Sequence, residues 1–242
     1  MRFTYSVFLP VLNETSSLIK TIEIIEKNCN KNIFKYLIIF SKKRTASKSI
    51  VTILNIKKKY KKKIKIIFQK KPHFGGALLS AIKAINTTHF IMMASDLETN
   101  PYHVKKLIKK SISFPSSIIV ASRWKKKNSF KNYNKIKYFC NKLFQIFISL
   151  LFKTKLNDLT FGYRVYPSKI IKKIKFKENK HPIMLESLLI PLKFNLPFKS
   201  VDTSWKSRTE GFSSNSFLAN FNYFITAFRI YLSNNKNLLK NL

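Results

Sequence analysis

The chain has 242 residues, of which 45% are hydrophobic and 14% aromatic, and this composition excludes a disordered protein and gives enough length for a substantial core. Its 47 basic residues against 10 acidic ones give a net charge of +37, which would attract nucleic acid, anionic lipid or phosphorylated substrates. The chain is also rich in Ile, Asn and Phe, so AT-rich codon usage is the main expected source of the lysines. Cys29 and Cys140 stand far apart, which excludes a disulfide framework or a cysteine zinc site and favours a reducing cytoplasm.

Strand-like and helix-like segments alternate along the first half of the chain. Apolar runs predict five strands, at residues 5–9, 34–40, 63–68, 89–94 and 117–121. Periodic apolar positions between them predict helices at residues 15–27, 47–60, 77–85 and 101–110. This alternation predicts an α/β fold in which a mostly parallel sheet has helices on both faces. Ligands of such sheets bind beyond the carboxyl ends of the strands.

The second half is less regular and contains two amphipathic segments. Residues 138–152 and 217–232 are apolar and aromatic, with a few polar positions, and each predicts a helix. Such a helix either packs on the core of the protein or lies in a membrane interface beside lysine-rich flanks. No run of about 18 apolar residues predicts a membrane-spanning helix. A further helix is predicted at 183–194 and a strand at 198–205.

An acidic pair follows the apolar run at residues 89–94. Asp96 and Glu98 are two positions apart, a spacing at which both carboxylates can reach one cation. Hard oxygen ligands suit Mg²⁺ or Mn²⁺, which complete their coordination with phosphate oxygens. The alternative is that Asp96 caps the helix predicted to begin at Pro101 or closes a turn.

Two other predicted strand ends carry candidate binding residues. Gly75 and Gly76 precede a predicted helix and would let backbone N–H groups approach a phosphate or a sugar; the alternative is a simple helix-entry turn. After the first strand, Asn13 could recognise a base or a ribose. Its alternative is an N-cap, with Glu14 in the first turn of the helix.

The order of the motifs is more specific than any one of them. The chain reads PVLNE at 10–14, FGGALLSAI at 74–82, DLETNP at 96–101, ASRW at 121–124, NDLTFGYRVY at 157–166 and WKSRTEGFS at 205–213. This order resembles the inverting family-2 glycosyltransferases with a GT-A fold. Within them it is most similar to the polyprenyl-phosphate glycosyltransferases of the dolichol-phosphate mannosyltransferase type. The resemblance covers nearly the whole chain.

The resemblance implies a role for each matching residue. Asp96 and Glu98 would bind Mg²⁺ or Mn²⁺. Arg123, Arg208 and Asp158 would form the catalytic group: the arginines would clamp a diphosphate or acceptor phosphate, and Asp158 would orient the acceptor or act as a base. Nucleotide-sugar contacts would come from Pro10, Asn13, Glu14, Gly75, Gly76, Ser122, Arg164 and Ser213. The alternative for Asp158 and Arg164 is an internal ion pair.

Three departures from the family pattern concern the nucleotide and the metal. The family's Asp-Asp-x-Ser element after the second strand is replaced by FSKKRT at 40–45, where Lys42 or Arg44 could instead contact phosphates. Ala94 stands in place of the first acid of the metal-binding motif. Ser214 stands where the family carries a lysine.

These observations predict an inverting glycosyltransferase that moves a sugar from a nucleoside-diphosphate sugar to a polyprenyl phosphate or a membrane-linked glycan. We expect a single domain, with residues 1–124 binding the nucleotide sugar, 125–214 the acceptor, and 215–242 forming an amphipathic helix and tail. We expect a cytoplasmic protein that binds peripherally to the inner face of the membrane. Its partner there would be the anionic membrane surface.

Two other functions remain open. The missing carboxylates are compatible with a catalytically impaired GT-A-like scaffold in envelope-glycan synthesis. The net charge is compatible with a nucleic-acid binder, but the lysines are spread throughout the chain and no set of stacking aromatics is evident, so no nucleic-acid partner is expected.

Overall fold

The computed structural model describes residues 3–124, 135–208, 210 and 221–240, apart from the side chain of residue 137. The strands in this part of the chain are β1 (Tyr5–Val11), β2 (Ile33–Phe40), β3 (Ile64–Phe68), β4 (His89–Met92), β5 (Ile118–Ser122), β6 (Arg164–Pro167) and β7 (Phe198–Asp202). The helices are α1 (Ser16–Cys29), α2 (Ser47–Tyr60), α3 (His73–Lys83), α4 (Val104–Ser113), α5 (Lys135–Leu151), α6 (Ser168–Lys173), α7 (Ile183–Lys193) and α8 (Phe221–Leu232). Short 3₁₀ turns occupy Lys61–Lys63, Pro101–His103 and Asn235–Asn237.

The strands form one sheet in the order β3-β2-β1-β4-β6-β5-β7. Neighbouring strands are parallel except on either side of β6, which is antiparallel to both β4 and β5. Because β6 runs in the opposite direction, the residues just before it lie at the edge where the other strands end. The topology therefore brings the segment around Asp158 to the carboxyl edge of the sheet.

Two apolar cores lie on opposite faces of this sheet. One contains Leu18 and Ile22 of α1 together with side chains of α2 and α4, and Val7 and Leu9 of β1 point into it. The other contains side chains of α3, α5, α6, α7 and α8, and Phe8 points into it. This alternation along β1 is what a strand buried on both faces requires. The predicted mostly parallel sheet with helices on both faces is confirmed.

The glycine pair lies inside α3, whereas the sequence predicted a helix that begins after it. Gly75 donates its backbone N–H to the carbonyl of Asn179 at 2.9 Å. A Cβ at Gly75 would stand 2.4 Å from the Asn179 carbonyl carbon, and one at Gly76 would stand 2.0 Å from the Lys71 carbonyl oxygen. Glycine is needed here because two chain segments approach closely, and the Gly75 N–H already has a protein acceptor.

The central strand β6 and the short helix α6 were not predicted. β6 has only four residues, and the first of them is the buried Arg164. Periodicity is a weak signal over so short a segment. The predicted helix at residues 101–110 is divided into a 3₁₀ turn and α4, whereas α2 has the predicted bounds.

The two amphipathic segments form α5 and α8, and residues 217–220 of the second lie outside the described residues. Their inner faces contribute Phe144, Ile148, Tyr223 and Ile230 to the core. Both helices also present large apolar side chains to the surface, among them Leu150 at 72% exposure. Within the described residues, no helix combines the length and apolar character needed to cross a membrane.

Candidate active site

Hydrogen bonds tie together the loops at the carboxyl edge of the sheet. After β4, the Ser95 hydroxyl donates to the carbonyl of Pro10 in β1 at 2.6 Å. After β7, the Thr203 N–H donates to the carbonyl of Ser122 at the end of β5, at 2.9 Å. The Ser122 hydroxyl donates to Asn157 Oδ1 at 2.7 Å. Segments predicted separately from the sequence, including Pro10 and Ser122, therefore belong to one connected edge.

The acidic pair forms a tight turn after β4. Leu97 has a φ of 64°, and the Glu98 N–H donates to Asp96 Oδ1 at 3.0 Å. This left-handed turn brings the two flanking carboxylates to the same side. Asp96 does not cap the next helical turn, because Asn100 Oδ1 accepts the Tyr102 N–H there. Of the two structural alternatives, the cap is therefore wrong and the turn is present.

Arg208 binds both carboxylates of the pair. Its Nη2 lies 3.2 Å from Asp96 Oδ2, and its Nε lies 3.0 Å from Glu98 Oε1. Burial, followed by the neighbouring charge of Glu98, raises the pKa of Asp96 to about 6, while Arg208 acts in the opposite direction. Two carboxylates that converge on one guanidinium can also converge on a divalent cation.

The number of acidic ligands limits the kind of metal site that is possible. In the described parts of the chain, no group of three or more His, Cys, Asp and Glu side chains could hold a metal ion. Asp96 and Glu98 alone fit Mg²⁺ or Mn²⁺ bound by one or two carboxylates together with substrate phosphates and water. They do not fit a cage built entirely from protein ligands.

Glu14 and Asn13 occupy the loop after β1. Glu14 Oε2 accepts the N–H groups of Leu12 at 2.6 Å and Asn13 at 3.0 Å. The Glu14 carboxylate is close enough to contribute to the raised pKa of Asp96. Asn13 is exposed, and α1 begins only at Ser16, so the N-cap alternative for Asn13 is wrong.

Asp158 and Arg123 form a buried bidentate pair. Asp158 Oδ2 accepts the backbone N–H of Arg123 at 2.9 Å and its Nε at 2.8 Å, while Oδ1 accepts Nη2 at 2.8 Å. The Arg123 guanidinium also lies 4.2 Å from the centre of the Phe161 ring. Asp158 thus fixes the orientation of Arg123. The alternative of an ion pair between Asp158 and Arg164 is wrong.

The family model described as glycosyl transferase family 2 matches residues 6–175. The chain belongs to this family. It is similar to crystal structures of glucosyl-3-phosphoglycerate synthase from Mycobacterium tuberculosis. The complex with UDP has a TM-score of 0.72 at 14% identity, over 95% of this chain and 80% of that one. The complex with Mn²⁺, UDP-glucose and phosphoglyceric acid has a TM-score of 0.71 at 14% identity, over the same shares of the two chains. The predicted GT-A fold is confirmed.

Arg164 of this family-2 chain is fully buried below the edge. Its guanidinium donates to the carbonyls of Leu159 and Met184, at 2.6 and 2.5 Å, and to the hydroxyls of Tyr166 and Ser187. Every one of these partners is uncharged. The contacts join β6 to the start of α7, so the observed environment of Arg164 is structural, unlike the nucleotide contact that the resemblance implied. Gly211 and Ser213 lie outside the described residues.

Two residues that contact this site or lie near it were not predicted from the sequence. His181 stacks on Phe74 with ring centres 5.4 Å apart, and burial, followed by the charges of Arg208 and His73, lowers its pKa. Glu210 binds the N-terminus of α1, 195 positions away in sequence. Neither contact has a local signal in the sequence.

The departure at residues 40–45 leaves basic side chains where the family has carboxylates. Lys42, Lys43 and Arg44 are exposed, and Lys42 Nζ lies 4.4 Å from the centre of the Phe68 ring. The next residue, Thr45, is buried, and its hydroxyl donates to the carbonyl of Val11 at 3.1 Å. This contact fixes the end of the loop that carries the three basic residues.

We predict that Arg164→Ala lowers the free energy of unfolding by about 3 to 5 kcal/mol, because it creates a cavity and leaves buried carbonyl and hydroxyl groups without a donor. Chemical denaturation measures this change. Arg44→Ala is the matched control, since Arg44 is exposed, and it should change stability by less than about 0.5 kcal/mol. Equal stability of the two variants would contradict the structural assignment of Arg164.

Proposed function

We propose that the chain transfers a sugar, with inversion, from a nucleoside-diphosphate sugar to a polyprenyl phosphate or a membrane-linked glycan. The observation that carries the proposal is the convergence of Asp96 and Glu98 on Arg208 at the carboxyl edge of a family-2 sheet. This edge is where parallel α/β sheets bind ligands. A cluster holding two carboxylates and a guanidinium has the charges needed to bind a metal-complexed diphosphate.

Asp96 and Glu98 would hold a divalent cation against the donor diphosphate, and the solved relatives with bound Mn²⁺ support this assignment. Such a cation neutralises the charge that develops on a leaving nucleoside diphosphate. Arg208 would add a positive charge on the same side. In a single in-line displacement, the acceptor oxygen bonds to the anomeric carbon as the bond from that carbon to the diphosphate oxygen breaks.

The environment of Asp158 supports an acceptor that is already an anion. A hydroxyl acceptor loses a proton during transfer, and a general base must reach that proton. Asp158 is fully buried and receives three hydrogen bonds from Arg123. An acceptor phosphate needs no such base, and its oxygen could attack directly. Phosphate-bearing molecules are also bound in the solved relatives, as phosphoglyceric acid or glycerol 3-phosphate.

The outer surface of α5 and α8 supports a membrane-linked acceptor. The two helices pack through Phe144 and Phe224, whose rings lie 4.7 Å apart, and through Phe147 and Phe228, at 5.8 Å. The exposed apolar residues beside this seam are Ile136, Phe139, Leu143, Ile146, Leu150, Phe221, Ile225, Tyr231 and Leu232. We call these residues the α5–α8 surface, leaving out Phe144, which faces inward. An apolar surface of this extent is typical of an interaction site.

The charge around the α5–α8 surface indicates which partner binds to it. Neither helix contains an acidic residue, and exposed lysines lie at position 142 and beyond the end of α5 at 153 and 155. The net charge of +37 would repel a second copy of the chain and attract an anionic bilayer. The surface also begins near the site. The ring centres of Tyr138 in α5 and Trp124, the residue after Arg123, are 5.0 Å apart. We therefore propose peripheral binding to the anionic inner face of a membrane.

A catalytically impaired scaffold is the second candidate. It is favoured by the exposed basic residues at 42–44, where the family carries carboxylates that contact the nucleotide, and by Ala94. Absence of nucleotide binding and turnover with a panel of UDP- and GDP-sugars in Mn²⁺ or Mg²⁺ would favour the scaffold over the enzyme.

We predict that Asp96→Asn lowers the turnover number by at least about 100-fold while the thermal unfolding temperature is retained, because one of two acidic cation ligands is lost. Turnover is measured as release of the nucleoside diphosphate. Glu23→Gln is the matched control, since Glu23 forms an exposed pair with Lys59 on the opposite side of α1 from the core. Full activity of a folded Asp96→Asn variant would show that the metal site is misassigned.

We predict that polyprenyl phosphate is a better acceptor than 3-phosphoglycerate or glycerol 3-phosphate in the same assay, because Arg123 engages Asp158, the carboxylate proposed as the base. The product is identified as a polyprenyl-phosphate sugar by mass spectrometry. Transfer to the hydroxyl of 3-phosphoglycerate alone would overturn the acceptor assignment but would leave the glycosyltransferase assignment intact.

We predict that the protein co-sediments with vesicles containing anionic lipid, and that Ile225→Ser combined with Phe228→Ser reduces this binding at least tenfold, on the order of the transfer free energy of two exposed apolar side chains. The matched control is Val51→Ser combined with Leu54→Ser on α2, two side chains of similar exposure in the opposite layer. Equal loss in both double variants, or a dimer that the first variant dissociates, would contradict membrane binding by the α5–α8 surface.

A further inference from the structure

The segment after β7 crosses the carboxyl edge of the sheet. We name residues 203–208 together with Glu210 the strap. At its start, the Thr203 hydroxyl lies 2.7 Å from His103 Nδ1, and the Ser204 hydroxyl accepts a hydrogen bond from Asn100 Nδ2 at 2.9 Å. Trp205 then packs against the core under α1, α2 and α4. These contacts fix the first half of the strap beside β4 and β5.

Glu210 fixes the other end of the strap at the N-terminus of α1. Its Oε2 accepts the N–H groups of Thr15 and Ser17, at 2.9 and 3.2 Å, and the Ser17 hydroxyl at 2.8 Å. Its Oε1 accepts the Ser16 N–H at 3.1 Å and the hydroxyls of Thr15 and Ser16, at 3.0 and 2.6 Å. One carboxylate therefore receives six hydrogen bonds.

This contact replaces the local cap that α1 lacks. Thr15, at the N-cap position, makes no side-chain capping bond. The first N–H groups of a helix need acceptors and favour a negative charge, and Glu210 meets both requirements. Although burial acts in the opposite direction, hydrogen bonds from Ser16, Thr15 and Ser17 hold the pKa of Glu210 well below its usual range.

Arg208 lies between these two anchors, on Asp96 and Glu98. An arginine side chain has many rotamers, and holding it in one position costs conformational entropy. Anchoring the strap on both sides of Arg208 fixes its backbone, so less of that entropy is lost when the guanidinium binds.

We propose that Glu210 is a positioning residue: by seating the strap on α1, it holds Arg208 at the Asp96–Glu98 carboxylates. The role in sugar transfer rests on the proposed function, in which Arg208 faces the donor diphosphate. Glu210 does not touch the reacting atoms, and its effect passes through Arg208. The simpler alternative is that Glu210 only caps α1.

The position of Arg208 can be measured without any substrate. An arginine-specific protease has few sites in this chain, because only six of the 47 basic residues are arginine. Under native conditions, cleavage after Arg208 relative to the exposed Arg44 reports how firmly the guanidinium is held. We expect Glu210→Ala to raise this ratio roughly tenfold, which lies within the usual range of coupling between residues of one hydrogen-bond network.

A substitute cap separates positioning from capping. Thr15→Asp in the Glu210→Ala background supplies a local N-cap for α1 without reconnecting the strap. We expect it to restore thermal stability and to leave cleavage after Arg208 high. Return of the cleavage ratio to the wild-type value would show that Glu210 acts only as a cap and would overturn the proposal.

A double-mutant cycle tests whether the effect passes through Arg208. We expect Glu210→Ala to weaken binding of the donor nucleotide in Mn²⁺ about tenfold in the wild-type background and to have no effect in the Arg208→Ala background. Equal effects in both backgrounds would show that Glu210 acts independently of Arg208. If the wild-type protein binds no nucleotide, the proposed function fails, while the proteolysis result still decides whether Glu210 positions Arg208.

Discussion

Pairing between arginine and carboxylate holds the carboxyl edge of this sheet together. Arg123 binds Asp158, Arg208 binds Asp96 and Glu98, and Arg229 binds Glu178 and Glu186. Each of these arginines joins segments that are distant in sequence. Because a buried carboxylate without a partner is strongly destabilising, each pairing constrains where its segment can lie. The candidate site is therefore a consequence of how the chain neutralises its few acids.

The choice of arginine is informative in a chain so rich in lysine. Only six of the 47 basic residues are arginine, and three of them pair with five of the acids, Asp96, Glu98, Asp158, Glu178 and Glu186. A planar guanidinium can serve two oxygens at once, as Arg123 does for both oxygens of Asp158 and Arg208 does for two side chains. A lysine ammonium cannot reproduce this geometry. Codon usage can therefore explain the lysines of the surface, but not the placement of these arginines.

The sequence predicted the fold well because local patterns determine most of it. Apolar runs and helical periodicity identified the five parallel strands of the first half and the helices between them, and the position of Asp96 after β4 followed directly. β6 was missed because it has four residues and contains a buried arginine. Its reversed direction brings Asp158 to the edge, which only the sheet order reveals.

The residues of the site were easier to predict from the sequence than the contacts between them. Asp158 was expected to orient the acceptor or act as a base, and the structural alternative paired it with Arg164, six positions away, but the topology places Arg123 against it. Gly75 was assigned to a ligand, but a segment about a hundred positions later takes that space. Glu210 was not identified at all. In each case the partner depends on packing between segments that are distant in sequence, and no local sequence pattern indicates it.

Two independent features of the structure favour the same class of acceptor. The hydrogen bonds from Arg123 to Asp158 engage the carboxylate that would otherwise be the natural base, which favours an acceptor that attacks as an anion. The α5–α8 surface begins where Tyr138 contacts Trp124, next to the same Arg123, and it is apolar without acidic residues. A phosphate carried on a lipid satisfies both conditions, because its head is an anion and its chain lies in the bilayer. A soluble hydroxyl acceptor would satisfy neither.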